Sequence, residues 1–474
     1  MKHPSAAFLL PALSLASRAV ASPSRSRSTA VGTATVDLHS PLGAPQYLGS
    51  GFIYGFPDNG VQAETVIPDH LVTGFKFNAN RAGGAQIPAK GWATGGLAGY
   101  KARFDSALSN YRTTRKYGGE FILLPHDIWG ADGGQGASVP YPGDGGDWEN
   151  MEAFWNQLIS DLKANNMLDG IVLDLWNEPD LDIFWARSWD QYVEYFVRAT
   201  KLVRSQLPHS LISGPSMANA PDATDTNWQS WCAAVAGNGT VPDHYSWHQI
   251  GSLLAPDGTV PIFNSLRQRY SLPERPIEVN EYAWPYEQNP AGAVFYLSQF
   301  ERHDIRALRA NWGSGSDLHD YLANLVGKTK STTGKDVYYP NGEWQLYSYY
   351  AAMTGQRVGT AASQDGLFDV FATVDGKGVK GGRQAKVIAG MRTQAAPKAY
   401  DVKVSGLGSL GLGGRKGTVD VRTYRFDYTG PFGRVDAPVD LGWSKYAYSD
   451  DVLVLHYDPP TNWTAYAYEF GGKE

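Results

Sequence analysis

The feature that most limits what this chain can fold into is a rhythm. From about Tyr47 onward, short apolar runs alternate with loops rich in Gly, Pro and aromatics, followed by segments of helical character. Eight runs occur: YLGSGFIYG, VTGFKFN, EFILLPHDIW, GIVLDLWNEP, SLISGPSMA, HYSWHQI, PIEVNEYAW and DIRALRANW. Near-continuous apolar runs of this length are what strands buried on both faces of a parallel sheet need. The intervening segments carry their apolar residues at helical spacing. Between Asn150 and Asn166, Met151, Phe154, Trp155, Leu158, Ile159 and Leu162 fall on one stripe. Between Trp189 and Leu207, Tyr192, Phe196, Ala199, Leu202 and Val203 do the same. Eight strand–helix units over about 310 residues predict a (β/α)8 barrel rather than an open doubly wound sheet. No Gly-x-Gly-x-x-Gly follows the first run, so a dinucleotide fold loses its main support.

Beyond Gly355 the texture changes to short alternating segments with Gly-rich turns, among them LFDVFATVDG, QAKVIAGMR, GTVDVRTYRFD and WTAYAYEF. Period-two alternation at this spacing predicts an antiparallel β-sandwich, which the early TAVGTATVDL segment is placed to join. The expected organisation is a signal peptide over 1–21, a linker and N-terminal strand over 22–45, the barrel over 46–355 and the β-sandwich over 356–474.

A barrel gathers the C-terminal ends of its strands at one mouth. The fourth run ends in Asn177-Glu178-Pro179, and proline cannot continue a central strand, so Glu178 is held at that mouth. The seventh ends near Glu281, with Tyr282 and Trp284 behind it. Tops of strands 4 and 7 face each other, and two opposed carboxyls of unequal pKa are what glycoside hydrolysis requires: one protonates the leaving oxygen while the other works on the anomeric carbon. Glu278 is a rival in the same run. Strand alternation separates Glu278 and Asn280 from Val279 and Glu281 unless a bulge intervenes, and Glu278 lies deeper, so Glu281 is preferred.

With LDLWNEPD and PIEVNEYAWP in these places, the chain resembles the clan A glycoside hydrolases, and is most similar to family 39, the β-xylosidase and α-iduronidase group. The resemblance covers roughly 46–355 and is specific at those two motifs. It implies Glu178 as acid/base, Glu281 as nucleophile, a retaining mechanism, and carboxyls about 5 Å apart. It also implies that Arg81 steadies the nucleophile, that Asn177 touches the sugar 2-hydroxyl, and that Trp312 is a stacking platform. From the residues themselves, His126 and Asp127 at the end of the third run are candidates to hold sugar hydroxyls. His248 and Tyr282 are candidates to hydrogen-bond the two glutamates; Trp129, Trp176 and Trp284 are either further platforms or packing, with Trp284 the one favoured as a platform. A carbohydrate is then the expected partner, with β-xylosidase-like exo action favoured over endo action.

Composition narrows the alternatives. A net charge of −6 gives no basic field for nucleic acid or an anionic membrane. The N-terminus, Lys2 followed by an apolar run and then AVA, has the order of a secretory signal and is too short to span a bilayer. The triplets beginning at Asn238 and Asn462 are acceptor sequons compatible with secretion. One cysteine, Cys232, excludes internal disulfides and zinc-ribbon sites. His126, Asp127, His244 and His248 raise a metal question, but no HExxH or similar helical pair is present, so neither a metal nor a cofactor is expected. GSGSD (313–317) approaches a serine-hydrolase elbow without its frame. A catalytically dead, polysaccharide-binding barrel is the remaining alternative, and the two intact glutamates argue against it.

Overall fold

The computed structural model describes residues 28–471 apart from 86, 133–135, 252–253, 312–317, 377–381, 395 and 413. The signal segment 1–21, Trp312 and the 313–317 stretch lie outside the described residues. The chain opens with β1 (Thr33–Pro41) and then enters the barrel. Its strands are β2 (Gly51–Ile53), β3 (Ala79–Ala82), β4 (Glu120–Leu123), β5 (Ile171–Asp174), β6 (Leu211–Met217), β7 (His244–Gln249), β8 (Ile277–Tyr282) and β9 (Ile305–Arg309). They pair in chain order, all parallel, and β9 closes on β2.

The sequence pattern explains most of this ring. In β5 every residue is buried, Asp174 included, as the IVLD run requires. The two amphipathic stretches form helices Glu149–Ala164 and Trp189–Gln206, the second capped by the Ser188 hydroxyl on the Gln191 amide. Their predicted stripes are the buried faces, with Leu202 alone only partly buried. The second strand departs from expectation. VTGFKFN is not a strand; its start belongs to a short helix (Asp69–Thr73), and the strand is the following ANRA. Lys76, at φ +55, turns the chain between them. Arg81 thereby lies within the strand, pointing inward, rather than beyond its end.

After the barrel come a hairpin of β10 (Val326–Lys330) and β11 (Asp336–Pro340) and a helix over Gly342–Ala351. The β-domain follows: β12 (Gln356–Ala361), β13 (Phe368–Asp375), β14 (Gln384–Met391), β15 (Tyr400–Ser405), β16 (Lys416–Phe426), β17 (Val439–Ser449), β18 (Val452–Tyr457) and β19 (Ala465–Phe470). With β1 these make a nine-strand sheet closed on itself, antiparallel except where β1 runs parallel to β15. The N-terminal strand therefore joins the β-domain, as its alternation suggested. A shared apolar cluster, including Phe52, Phe75, Leu346, Tyr350, Phe371 and Ile388, cements the β-domain to the barrel wall. No described helix is long and apolar enough to cross a membrane.

Candidate active site

At the mouth of the barrel the side chains of β3, β5, β7 and β8 meet. Arg81 is fully buried and spends its guanidinium on three partners. Its Nη1 donates to Glu281 Oε1 at 2.7 Å, its Nε to Asp174 Oδ2 at 2.8 Å and its Nη2 to Asn177 Oδ1 at 2.8 Å. The forked, fixed geometry of arginine suits this bridging role, which a lysine could not fill. Asp174 is held from the other side by Ser216 Oγ at 2.7 Å and Asn280 Nδ2 at 2.7 Å, and Ser216 in turn meets Ser246 at 2.7 Å. A polar network thus fills the barrel interior beneath the two glutamates.

Both Asn280 and Glu281 point into the barrel, which simple alternation forbids. The register supplies the reason. Val279 pairs with Trp247, but Glu281 pairs with His248, so β8 carries an extra residue against β7. Such a bulge re-aims a side chain next to a site. It corrects the expectation that Asn280 and Glu281 occupy opposite sides. Glu278 sits lower, at the far end of the barrel, paired with Arg306 and close to His244 (3.3 Å). It takes no part in the mouth.

Glu178 is positioned by a strained turn. Its φ is +44, a left-handed value uncommon for a residue with a side chain, and its amide donates to the Ser216 carbonyl at 2.9 Å. Two residues on, Asp180 accepts the Ala218 and Asn219 amides at 2.8 and 3.0 Å, tying this turn to the end of β6. His248 Nδ1 lies 2.8 Å from Glu178 Oε1 and 3.9 Å from Glu281 Oε2. One oxygen of each glutamate and a nitrogen of His248 all fall within 4.8 Å of one another.

Their protonation follows from surroundings. Burial pushes the Glu178 carboxyl up to about 7, and burial lowers His248 to about 4, so the imidazole is neutral near pH 7. Burial also raises Glu281, but the Arg81 contact and His248 oppose it. The two carboxyls titrate as a pair. The guanidinium against Glu281 selects that residue as the first to ionise, leaving the shared proton on the Glu178–His248 side.

A cavity of about 220 Å³ opens above the pair. His126, Asp127, Asn177, Glu178 and Glu281 line it, with Tyr54, Asp132, Phe184 and Leu318 among its other walls. Asp127 Oδ2 accepts from the Tyr54 hydroxyl at 3.0 Å, and its Oδ1 lies 3.1 Å from His126 Nε2. His126 Nδ1 is buried with no protein partner, and burial raises Asp127 to about 7. Both side chains line the cavity and carry buried polar atoms that no protein group satisfies.

Of the residues singled out from the sequence, Arg81, His126, Asp127, Asn177, Glu178, His248 and Glu281 come together here. Tyr282 does not. Next along the strand from Glu281, it faces out of the barrel, where its hydroxyl meets Tyr347 and its ring packs on Tyr296 and Phe300. It cannot bond the glutamates. Trp284 stands on the rim, 41% exposed, its indole over Gly251 rather than in the cavity wall. Trp129 and Trp176 are buried, their indoles donating to the Pro140 and Phe184 carbonyls, which makes them packing residues. The sequence reading missed Tyr54, Ser216, Ser246 and the role of Asp174. Asp174 carried a signal, as an acid inside a buried run, and so did Tyr54, at the end of the first run.

The four residues weighed as metal ligands are split, with His244 at the opposite end of the barrel from the mouth. Glu178, His248 and Glu281 each offer one ligand atom in a compact group. The Arg81 guanidinium, 2.7 Å from Glu281, already supplies the positive charge there and would repel a dication.

Comparison with protein families and with curated proteins finds no match. Solved structures do match. N2152 from Neocallimastix frontalis aligns at TM-score 0.69 and 18% identity, over 94% of this chain and all of that one. A GH39 enzyme from Xanthomonas axonopodis pv. citri aligns at TM-score 0.55 and 13% identity, over 94% and 98% of the two chains. A monomeric β-xylosidase from Caulobacter crescentus CB15 aligns at 0.51 and 14%, over 92% and 99%. At these identities the likeness is one of architecture, and what it establishes is a (β/α)8 barrel with a fused β-domain spanning nearly the whole chain.

Proposed function

We propose that the protein is a retaining glycoside hydrolase acting on plant cell-wall-type saccharides. The observation that carries this reading is the Glu178–Glu281 pair, with an oxygen of each inside 4.8 Å. Retaining enzymes hold their carboxyls about 5 Å apart, whereas inverting ones leave several ångströms more for a water. Glu281, ionised against Arg81, attacks the anomeric carbon. Glu178 delivers its proton to the departing oxygen, and a covalent glycosyl-enzyme forms. The same Glu178, now a carboxylate, takes a proton from water as that water attacks the anomeric carbon and frees Glu281. Asn177, fixed through its carbonyl oxygen by Arg81, keeps its amide NH2 for a substrate hydroxyl. Fold neighbours with names such as glucosidase and β-xylosidase support the same class.

Substrate charge can be read from the walls. Arg81 is spent on Asp174, Glu281 and Asn177. Arg103 is spent on Asp132 and two carbonyls, and Arg309 on Glu343, the Ala323 carbonyl and Gln288. Lys76 sits over the Tyr47 ring. Among the described residues lining the cavity there is no Lys or Arg, and residues 86, 133–135, 252–253 and 312–317 contain none either. A uronic acid would have its carboxylate buried against Asp127 and Asp132 without a counter-charge. The substrate is therefore a neutral sugar. The small cavity favours exo action, releasing one sugar at a time. The signal-like N-terminus supports secretion.

Two measurements test this. Proton NMR of the first product should show the anomeric configuration of the substrate, and an inverted product would remove the assignment. A panel of aryl glycosides should give turnover on neutral β-pyranosides at least ~100-fold above the matching uronides, as expected when a buried charge goes unpaired. Monosaccharide release from the earliest time points would distinguish exo from endo cleavage.

The pH profile follows from Glu178. The acid must hold its proton, and with a pKa near 7 it does so below that value and loses it above. kcat/KM should fall by about tenfold per pH unit on the alkaline side of roughly pH 7, with the acid limb set by ionisation of Glu281. The alkaline limb should disappear in Glu178→Gln assayed on an aryl glycoside with an activated leaving group.

A further inference from the structure

The β-domain contains a groove that the catalytic reading does not use. Strands β17 and β18 pair only at Tyr448–Leu453 and Ser449–Val452, and then diverge. The gap between them is a cavity of about 290 Å³. One wall is Leu441, Ser444 and Tyr446 of β17, and the other is His456 of β18 with Asp458 just after it. Tyr466 and Tyr468 of β19 and Thr423 of β16 also line it.

The chemistry of this lining is mixed in a particular way. Tyr446 and Tyr466 are half-buried and pack against the β-domain core, so their rings are fixed rather than free to swing. A preformed aromatic face loses little entropy when an apolar ligand face lands on it. His456 has its Nδ1 taken by Asp401 at 2.8 Å, which leaves Nε2 as the ring's remaining hydrogen-bonding atom. That atom is buried without a protein partner, on a side chain only 10% exposed. The imidazole therefore serves as a fixed wall of the groove, and the acceptors for a ligand hydroxyl lie beyond it. Asp458 holds the Ser28 amide through Oδ2 at 3.2 Å and retains its other oxygen as an acceptor. Ser444 adds an exposed hydroxyl.

We infer that the splayed gap between β17 and β18 is a second saccharide-binding site, seating one or two neutral sugar units. Sugars present C–H faces to rings and hydroxyls to acceptors, which is the pairing this groove offers. The assignment of ligand class rests in part on the proposed activity at the barrel mouth, but binding here does not depend on catalysis. The site would hold a polysaccharide on the β-domain while the barrel works on a chain end.

The test uses the full chain carrying Glu281→Gln, in native gels containing soluble xylan, xyloglucan or mixed-linkage β-glucan. At least one polymer should retard it. Tyr446→Ala should reduce the affinity by at least about threefold, the scale of one lost aromatic contact. Ser444→Trp, an exposed position whose replacement fills the groove without removing a core contact, should lower the retardation at least as far as Tyr446→Ala does, down to what the barrel mouth alone gives. The same two substitutions in the otherwise native chain should leave kcat/KM on an aryl glycoside unchanged, which also reports that they fold. Retardation equal in all variants, or none with any polymer, would overturn the second site. Retardation with no hydrolysis by the native chain would leave it standing and remove the proposed activity instead.

Discussion

Glu281→Gln should lower kcat/KM on an aryl β-glycoside by at least about 10⁴-fold, because the variant has the shape of the nucleophile without its charge. The substitution is nearly isosteric and Arg81 can still meet the amide oxygen, so circular dichroism and thermal unfolding should change little. That separation of activity from folding identifies a reacting group. Glu178→Gln should behave differently. Its loss should be about 10²–10⁴-fold on substrates whose leaving group needs a proton, and far smaller in the first step with an activated phenol. Added azide should then yield a glycosyl azide of retained configuration, since the covalent intermediate still forms and only the base for water is missing. Stopped assays and product NMR decide both cases. Should Glu281→Gln keep more than a few per cent of activity, the residue does not attack the sugar.

Arg81→Met should be the most damaging single change to the fold of the site. Arg81 is inaccessible to solvent and is the only cation in hydrogen-bond contact with Asp174 and Glu281 among the described residues. Removing it leaves two buried carboxylates uncompensated, which costs about 3–5 kcal/mol of stability. The sign with pH follows. In the variant Asp174 and Glu281 favour their neutral forms, so their folded pKa values rise further above the unfolded ones. Such groups destabilise the folded state once pH exceeds their unfolded values, and the deficit should shrink as pH falls. Denaturant titrations of native chain and variant at pH 5 and pH 7 should show a smaller difference at the lower pH. Arg81→Lys should recover part of the stability and little of the activity, because one ammonium cannot reach Glu281, Asp174 and Asn177 together.

The barrel mouth shows how far a linear reading reaches. Glu178 and Glu281 were legible because each ends a buried run, and a barrel sends every such end to the same place. Asn177, His126, Asp127 and His248 were legible for the same reason, whereas Arg81 was found through the resemblance, since the run placed before it is not a strand and it lies inside the strand that follows. Tyr282 failed because alternation resumes after the bulge, so the residue following the inward-facing Glu281 faces outward. Asn280 was placed on the wrong side because a bulge leaves no local mark in PIEVNEYAW; it shows only in which β7 residue each β8 residue pairs with. Tyr54 directly follows β2 in the first run, so the strand-end rule reaches it although it was not singled out, while Asp132 lies in a loop whose course nothing local dictates.

By itself the amino-acid order determined the periodicities: eight buried runs separated by amphipathic helices, a β-rich C-terminal quarter, and two acids at strand ends. Periodicity is a property of neighbours along the chain, so it can be read there. Tertiary structure decided the quantities that depend on residues far apart: the separation of the two carboxyls, the guanidinium that ionises one of them, the burial that keeps a proton on the other, and a cavity whose described lining carries acids but no Lys or Arg. Those are set by distance and dielectric, which exist only once segments such as residues 81, 174, 248 and 281 have been brought together.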